Sequence, residues 1–141
     1  MSDSDTGRLK VLLLEDEPII GKVTSRVLAA EGYDVDVAVD GLIAKEKIMT
    51  NRYDLMIFDV RTPLMSGIQL YEYLERAYPQ LTGRIIFSTG DSLSLGTKTF
   101  LDRVKSPNIS KPYTPSQLRM VVRATMDRIN SSVLAEVVER G

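Results

Sequence analysis

Three acidic residues stand where apolar runs stop: Glu15 and Asp16 follow "VLLL" (Val11 to Leu14), and Asp59 closes "DLMIFD". A carboxylate resists burial, so a segment built for the interior that ends in one is delivering it to a site. "RIIFST" brings Thr89 to a similar position, and "PNISK" brings Lys111. Gathered in one place, the acids would repel by about 4 kcal/mol per pair at about 4 Å and an effective dielectric of about 20. Lys111 or a hard divalent ion must offset them, and Mg²⁺ is commonly held by one or two carboxylates with waters and phosphate oxygens around it. Such a set suits a phosphoryl group. An Asp carboxylate is ordinarily ionised at neutral pH and attacks phosphorus without a general base. That property matters in a chain with no His. Asp59 is then the nucleophile, Thr89 a hydroxyl donor to a phosphoryl oxygen, and Lys111 a point charge on the group being transferred.

Carrying these residues to one point requires a particular arrangement of elements. Short apolar runs alternate with amphipathic segments five times along the 141 residues. "VLLL" reads as a strand buried on both faces, and Pro18 then opens a helix in which Ile20, Val23 and Val27 form the core stripe and Gly32 the stop. Val35, Val37 and Val39 alternate as a second strand, and Asp40 caps a helix carrying Ala44 and Ile48. "DLMIF" is a third strand, and Ser66 with Gln69 makes a capping-box pattern ahead of Leu70 and Leu74. "RIIFS" precedes a short helix near Thr97 to Val104, and "PNIS" precedes one that starts at Thr114, Pro115 and Gln117 and faces inward with Leu118, Val121, Val122, Thr125 and Ile129.

Strands alternating with helices make right-handed crossovers and a parallel sheet covered on both faces. The first turn, "EDEP", lacks the Gly-rich dinucleotide fingerprint, so the expectation is a flavodoxin-like, doubly wound five-stranded sheet in the order 2-1-3-4-5 with five helices. In that order the carboxyl ends of strands one and three flank the crevice where ligands bind, and Glu15, Asp16 and Asp59 meet there.

Composition narrows the function classes. Lys and Arg total 18 against 19 acids, a net charge of −1, with no basic run of the kind that binds nucleic acid. No apolar run approaches the ~20 residues of a membrane span, and "MSDSDTG" is acidic where a signal peptide is basic. A cytoplasmic chain with neither nucleic acid nor membrane as partner is expected. The absence of Cys removes disulfides and thiolate chemistry.

Singly, each site residue is ordinary: an acid after a strand is often a solvated charge, and Lys before Pro is often a surface loop. Four strand ends converging with matched chemistry are not ordinary. Together "LLLEDEP", "IFDVRTPLMSG", "FSTGD" and "ISKP" resemble the receiver domains of two-component response regulators, over roughly Leu9 to Ile129. The resemblance implies that Asp59 accepts a phosphoryl group from a phosphohistidine on a sensor histidine kinase or histidine phosphotransfer protein. It implies that Asp16, Asp59 and the backbone carbonyl of Arg61 hold Mg²⁺, with Glu15 acting directly or through water. Thr89 and Lys111 would contact the phosphoryl oxygens, and Lys111-Pro112 would be cis. Receivers commonly carry an aromatic residue shortly before the lysine, whereas "PNIS" holds Ile109 instead.

The resemblance divides the chain into a flexible segment 1–8, a receiver domain 9–130, and a tail or helix extension 131–141, with no room for a DNA-binding output. Catalysis would be limited to the chain's own phosphorylation and dephosphorylation. Arg61 and Asp91, two residues past Asp59 and Thr89, can pair across the pocket mouth. Ile19 is expected half exposed beside the acids, where with Pro63, Leu64, Met65, Pro112 and Tyr113 it would dock the partner. The tail "NSSVLAEVVERG" leaves a homodimer open. Two rivals are a pseudo-receiver that binds without phosphorylation and a haloacid-dehalogenase-like phosphatase. The latter wants a second Asp two residues past the nucleophile, where this chain has Arg61.

Overall fold

The apolar runs become five parallel strands, β1 (Lys10–Leu14), β2 (Asp34–Ala38), β3 (Leu55–Asp59), β4 (Ile85–Thr89) and β5 (Asn108–Ser110), in the order β2-β1-β3-β4-β5. The computed structural model describes residues 7–90 and 94–140. Five α-helices connect and follow the strands: α1 (Pro18–Ala30), α2 (Gly41–Thr50), α3 (Gly67–Ala77), α4 (Leu95–Val104) and α5 (Pro115–Arg140). A 3-10 helix, Pro79–Arg84, leads into β4. The expected doubly wound order is the observed one. β3 and β4 are buried at every position because helices cover both faces.

Alternation along the strands divides the core in two. Leu12, Leu14, Met56, Phe58, Ile85 and Phe87 point toward α2, α3 and α4, where Phe87 meets Tyr71 and Phe100 with ring centroids 5.5 and 5.2 Å apart. Val11, Leu13, Leu55, Ile57 and Ile86 point toward α1 and α5. Each fully buried Leu, Ile or Phe contributes about 1.5–3 kcal/mol, which suffices to hold the strand ends in register. That register sets β1 beside β3 from Val11↔Leu55 to Leu14↔Phe58, and Asp59 beside Ser88.

Helix starts follow the sequence signals. Asp40 accepts from the Ile43 N–H at 2.9 Å, Ser66 and Gln69 form a capping box, and so do Thr114 and Gln117. The fourth helix begins at Leu95, a little before its expected start, and α5 continues through the tail to Arg140. The second strand closes at Ala38, so Val39 lies just beyond it and is exposed.

One stripe differs from its expectation. In α1 the buried positions are Gly21, Thr24 and Leu28, whereas Ile20 and Val27 are only half-buried and Val23 is 50% exposed. Helix α1 is turned by one residue, with Gly21 facing β2, where a Cβ would make only an ordinary contact with Val37 Cγ1 at 3.8 Å. Thr24 goes inward because its hydroxyl finds Tyr113. Ile19, expected half exposed, is 78% exposed.

Candidate functional site

The carboxyl ends of β1 and β3 bring one carboxylate oxygen each from Glu15, Asp16 and Asp59 within 4.8 Å of one another. Glu15 is 1% exposed and Asp59 5%, while Asp16 is more open to solvent. Lys111, delivered by the end of β5, puts its Nζ 2.7 Å from both Glu15 Oε1 and Asp59 Oδ2. The ammonium is thus the charge that offsets two buried acids.

The backbone orders the cluster further. Asp59 Oδ1 accepts from the Arg61 N–H at 3.1 Å, and Glu15 Oε2 accepts from the Glu17 N–H at 3.1 Å. The Lys111 N–H donates to the Thr89 carbonyl at 2.8 Å, which ties the lysine turn to the end of β4. Thr89 itself is fully buried, one residue past the Ser88 that pairs with Asp59. The Lys111-Pro112 bond is cis, as the resemblance implies. Every described site residue therefore lies at the expected end of the sheet, with Arg61 joining through its backbone while the residue as a whole is exposed. Asp91, the expected partner of Arg61, lies outside the described residues.

Electrostatics follow from burial and pairing. Burial raises the Glu15 carboxyl above its ordinary 4.5, and the Lys111 ammonium and Glu17 N–H oppose this without cancelling it. For Lys111 burial acts downward, but the hydrogen bond to Asp59 and the contact with Glu15 outweigh it, so its affinity for a proton is raised.

The donor set is all hard oxygen, as Mg²⁺ requires. Glu15 Oε1 is buried with the Lys111 ammonium beside it but without an aligned hydrogen bond, so it retains capacity for a cation or a bound water. The residues present fit the ion.

Two glycines escaped the sequence reading. A Cβ on Gly67 would overlap the Asp59 carbonyl oxygen, and one on Gly41 would overlap the Met65 carbonyl oxygen. Each opens a helix that presses on the segment after Asp59, and only a bare Cα permits the approach. In the same segment Leu64 takes a left-handed conformation, φ 67°, at 75% exposure. A second omission is the 2.7 Å contact between the hydroxyls of Thr24 and Tyr113, two residues past Lys111. Neither polar residue carries a local signal for a partner 89 positions away.

A doubly wound parallel sheet with an acid cluster and a lysine at its carboxyl end is the arrangement that the receiver resemblance implies. The family model described as "Response regulator receiver domain" matches residues 11–123, and the chain belongs to that family. The transcriptional regulatory protein DltR of Streptococcus agalactiae is 33% identical over 115 residues, 82% of this chain and 50% of that protein. The DNA-binding response regulator MtrA of Mycolicibacterium smegmatis is 30% identical over 137 residues, 97% of this chain and 58% of that protein. The chain spans about half the length of the curated relatives it matches. Among solved structures, the CheY-like receiver of Methanospirillum hungatei superposes with a TM-score of 0.80 at 27% identity, covering 89% of this chain and 98% of that one. The Vibrio cholerae chemotaxis protein CheY4 gives 0.74 at 28% identity, covering 84% and 98%. Membership in this family sets the phosphatase rival aside. No helix among the described residues is long and apolar enough to cross a membrane.

Proposed function

We propose that Asp59 is the phosphoacceptor of this receiver domain and takes its phosphoryl group from a phosphohistidine on a sensor histidine kinase or histidine phosphotransfer protein. The observation that carries the reading is the Asp59 carboxylate, nearly buried yet held at a strand end by the Arg61 N–H on one oxygen and Lys111 on the other. An Asp59 carboxylate oxygen attacks phosphorus, the P–N bond breaks, and its electron pair goes to the imidazole nitrogen, which takes a proton from solvent. The product is an acyl phosphate on Asp59.

Asp16, Asp59 and the backbone carbonyl of Arg61 would hold Mg²⁺, with Glu15 acting directly or through water. Bound there, the ion neutralises charge on the phosphoryl oxygens. Lys111 stands beside Asp59 before transfer and provides positive charge for the phosphoryl oxygens after it. Thr89, buried and braced through its carbonyl by the Lys111 N–H, directs its hydroxyl to a phosphoryl oxygen in the product. The chain acts on its own carboxylate and turns over no separate substrate. Its surroundings in this reading are cytoplasmic, where the histidine donor is presented.

Incubation with a phosphorylated histidine phosphotransfer protein and Mg²⁺ tests this. Label should pass to the wild type and not to Asp59→Asn, and a pseudo-receiver would take no label. Equal transfer to the Asp59→Asn variant would place the acceptor elsewhere.

A further inference from the structure

At the opposite end of the sheet from the acid cluster lies a cavity of about 650 Å³, beneath the starts of β3 and β4. Its floor is made of core side chains from both faces of the sheet: Ile48, Met56 and Leu81 from one, Ile129 from the other. Around this floor stand three arginines, Arg52, Arg84 and Arg128, each brought by a different segment. Among the described residues no carboxylate lines the cavity, and none of the three guanidinium groups forms an ion pair with a described residue. Arg84 is positioned by donating to the Asp54 carbonyl at 3.1 Å, a bond that holds it without neutralising it.

Three guanidinium groups without an ion-pair partner among the described residues thus stand around one apolar floor, in a chain of net charge −1. Like charges gathered without a counter-charge repel, and a planar guanidinium fork matches the oxygens of a phosphate. A floor of Met, Leu and Ile side chains accepts a flat, weakly polar ring, and Asn51, Gln80 and Ser132 on the rim offer donors and acceptors for its edge. The volume falls within the range that small-molecule sites occupy.

We propose that this cavity is a second ligand site, independent of the acid cluster, which binds a nucleoside diphosphate with its base against Leu81 and Val133 and its phosphates among Arg52, Arg84 and Arg128. Because Arg128, Ile129 and Ser132 belong to α5, the occupant contacts the helix that carries on to Arg140. The ligand therefore adds contacts between α5 and the underside of β3.

Calorimetric titration of the full chain with ADP in EDTA tests the site, with chelation removing metal-dependent phosphate binding at the acid cluster. ADP should bind saturably at one site per chain. Adenosine and inorganic pyrophosphate, each lacking half of the recognised chemistry, should bind at least about tenfold more weakly. The double variant Arg52→Gln with Arg128→Gln should keep its thermal midpoint, since both residues are exposed, and lose ADP binding by about tenfold or more. Absence of saturable ADP binding, or binding unchanged in the double variant, would overturn the proposal. So would pyrophosphate binding as tightly as ADP, or displacement of ADP by a Glu-rich peptide of equal affinity, which would assign the arginines to a protein partner.

Discussion

Nζ of Lys111 lies 2.7 Å from Oδ2 of Asp59, a contact across 52 residues made where β5 and β3 end on the same side of the sheet. The same ammonium touches Glu15, so its removal leaves two buried carboxylates facing each other without a cation. Lys111→Met should destabilise the fold by about 3 kcal/mol at neutral pH, as expected when one member of a buried charge cluster is lost. Adding Asp59→Asn should restore part of that loss by removing one of the opposed charges. Urea denaturation of the two variants measures both effects, and an unchanged midpoint for Lys111→Met would show that the ammonium is not what offsets the acids.

The hydroxyl pair of Thr24 and Tyr113 joins the inner face of α1 to the turn after Lys111. Either Tyr113→Phe or Thr24→Val alone should cost about 1–2 kcal/mol, because each strands the other hydroxyl in a buried setting. The double variant should cost less than the sum of the two. A double-mutant cycle by chemical denaturation reads the coupling, and strict additivity would mean that the contact contributes nothing.

Asp36 supplies a pH dependence away from the acid cluster. Burial acts to raise its carboxyl, but the Tyr53 hydroxyl at 2.6 Å and the Lys47 ammonium at 3.0 Å outweigh burial and hold it below its ordinary 3.8. A lowered folded-state value means stability that is present above 3.8 and lost as the pH falls through the folded value. Tyr53→Phe should therefore lower the urea midpoint at neutral pH, with the gap from wild type narrowing below 3.8. A gap that is constant across the acid range would trace the loss to packing.

Ile19 stands 78% exposed in the first turn of α1, near the end of the sheet that carries the acids, and Leu64 is 75% exposed in the loop after Asp59. Apolar groups around a charged centre suit a small transient interface. Ile19→Ala should slow phosphotransfer from the histidine-bearing partner several-fold while leaving labelling by a small acyl phosphate unchanged. Stopped-flow or quenched-flow transfer separates the two donors. Equal loss with both would place Ile19 in the chemistry, and no loss with either would move the docking surface.

What the sequence displayed was mostly periodicity and punctuation. The runs "VLLL" and "DLMIF", the cap at Asp40 and the capping boxes at Ser66 and Thr114 are local signals, and each produced its element. The site was legible for the same reason: four strand ends each carry a residue whose type is wrong for burial. The inward face of α1 lies one position away from the apolar stripe because it is made of Gly21 and Thr24, and Thr24 meets a hydroxyl 89 residues away. The close approaches at Gly41 and Gly67 were not displayed either, since a glycine's neighbour in space leaves no mark beside it in sequence. The arginines of the lower cavity come from three separate segments and have no shared spacing to betray them.

The central claim, that Asp59 is the acceptor in a Mg²⁺-dependent reaction, is tested most directly by intact-mass spectrometry after incubation with a small acyl phosphate. With Mg²⁺ the wild type should gain one phosphoryl group, labile to acid and base, that peptide mapping after hydride trapping assigns to Asp59. EDTA should abolish the gain, and so should Asp59→Asn. A phosphoryl group that forms equally in EDTA, or that persists on the Asp59→Asn variant, would contradict the account.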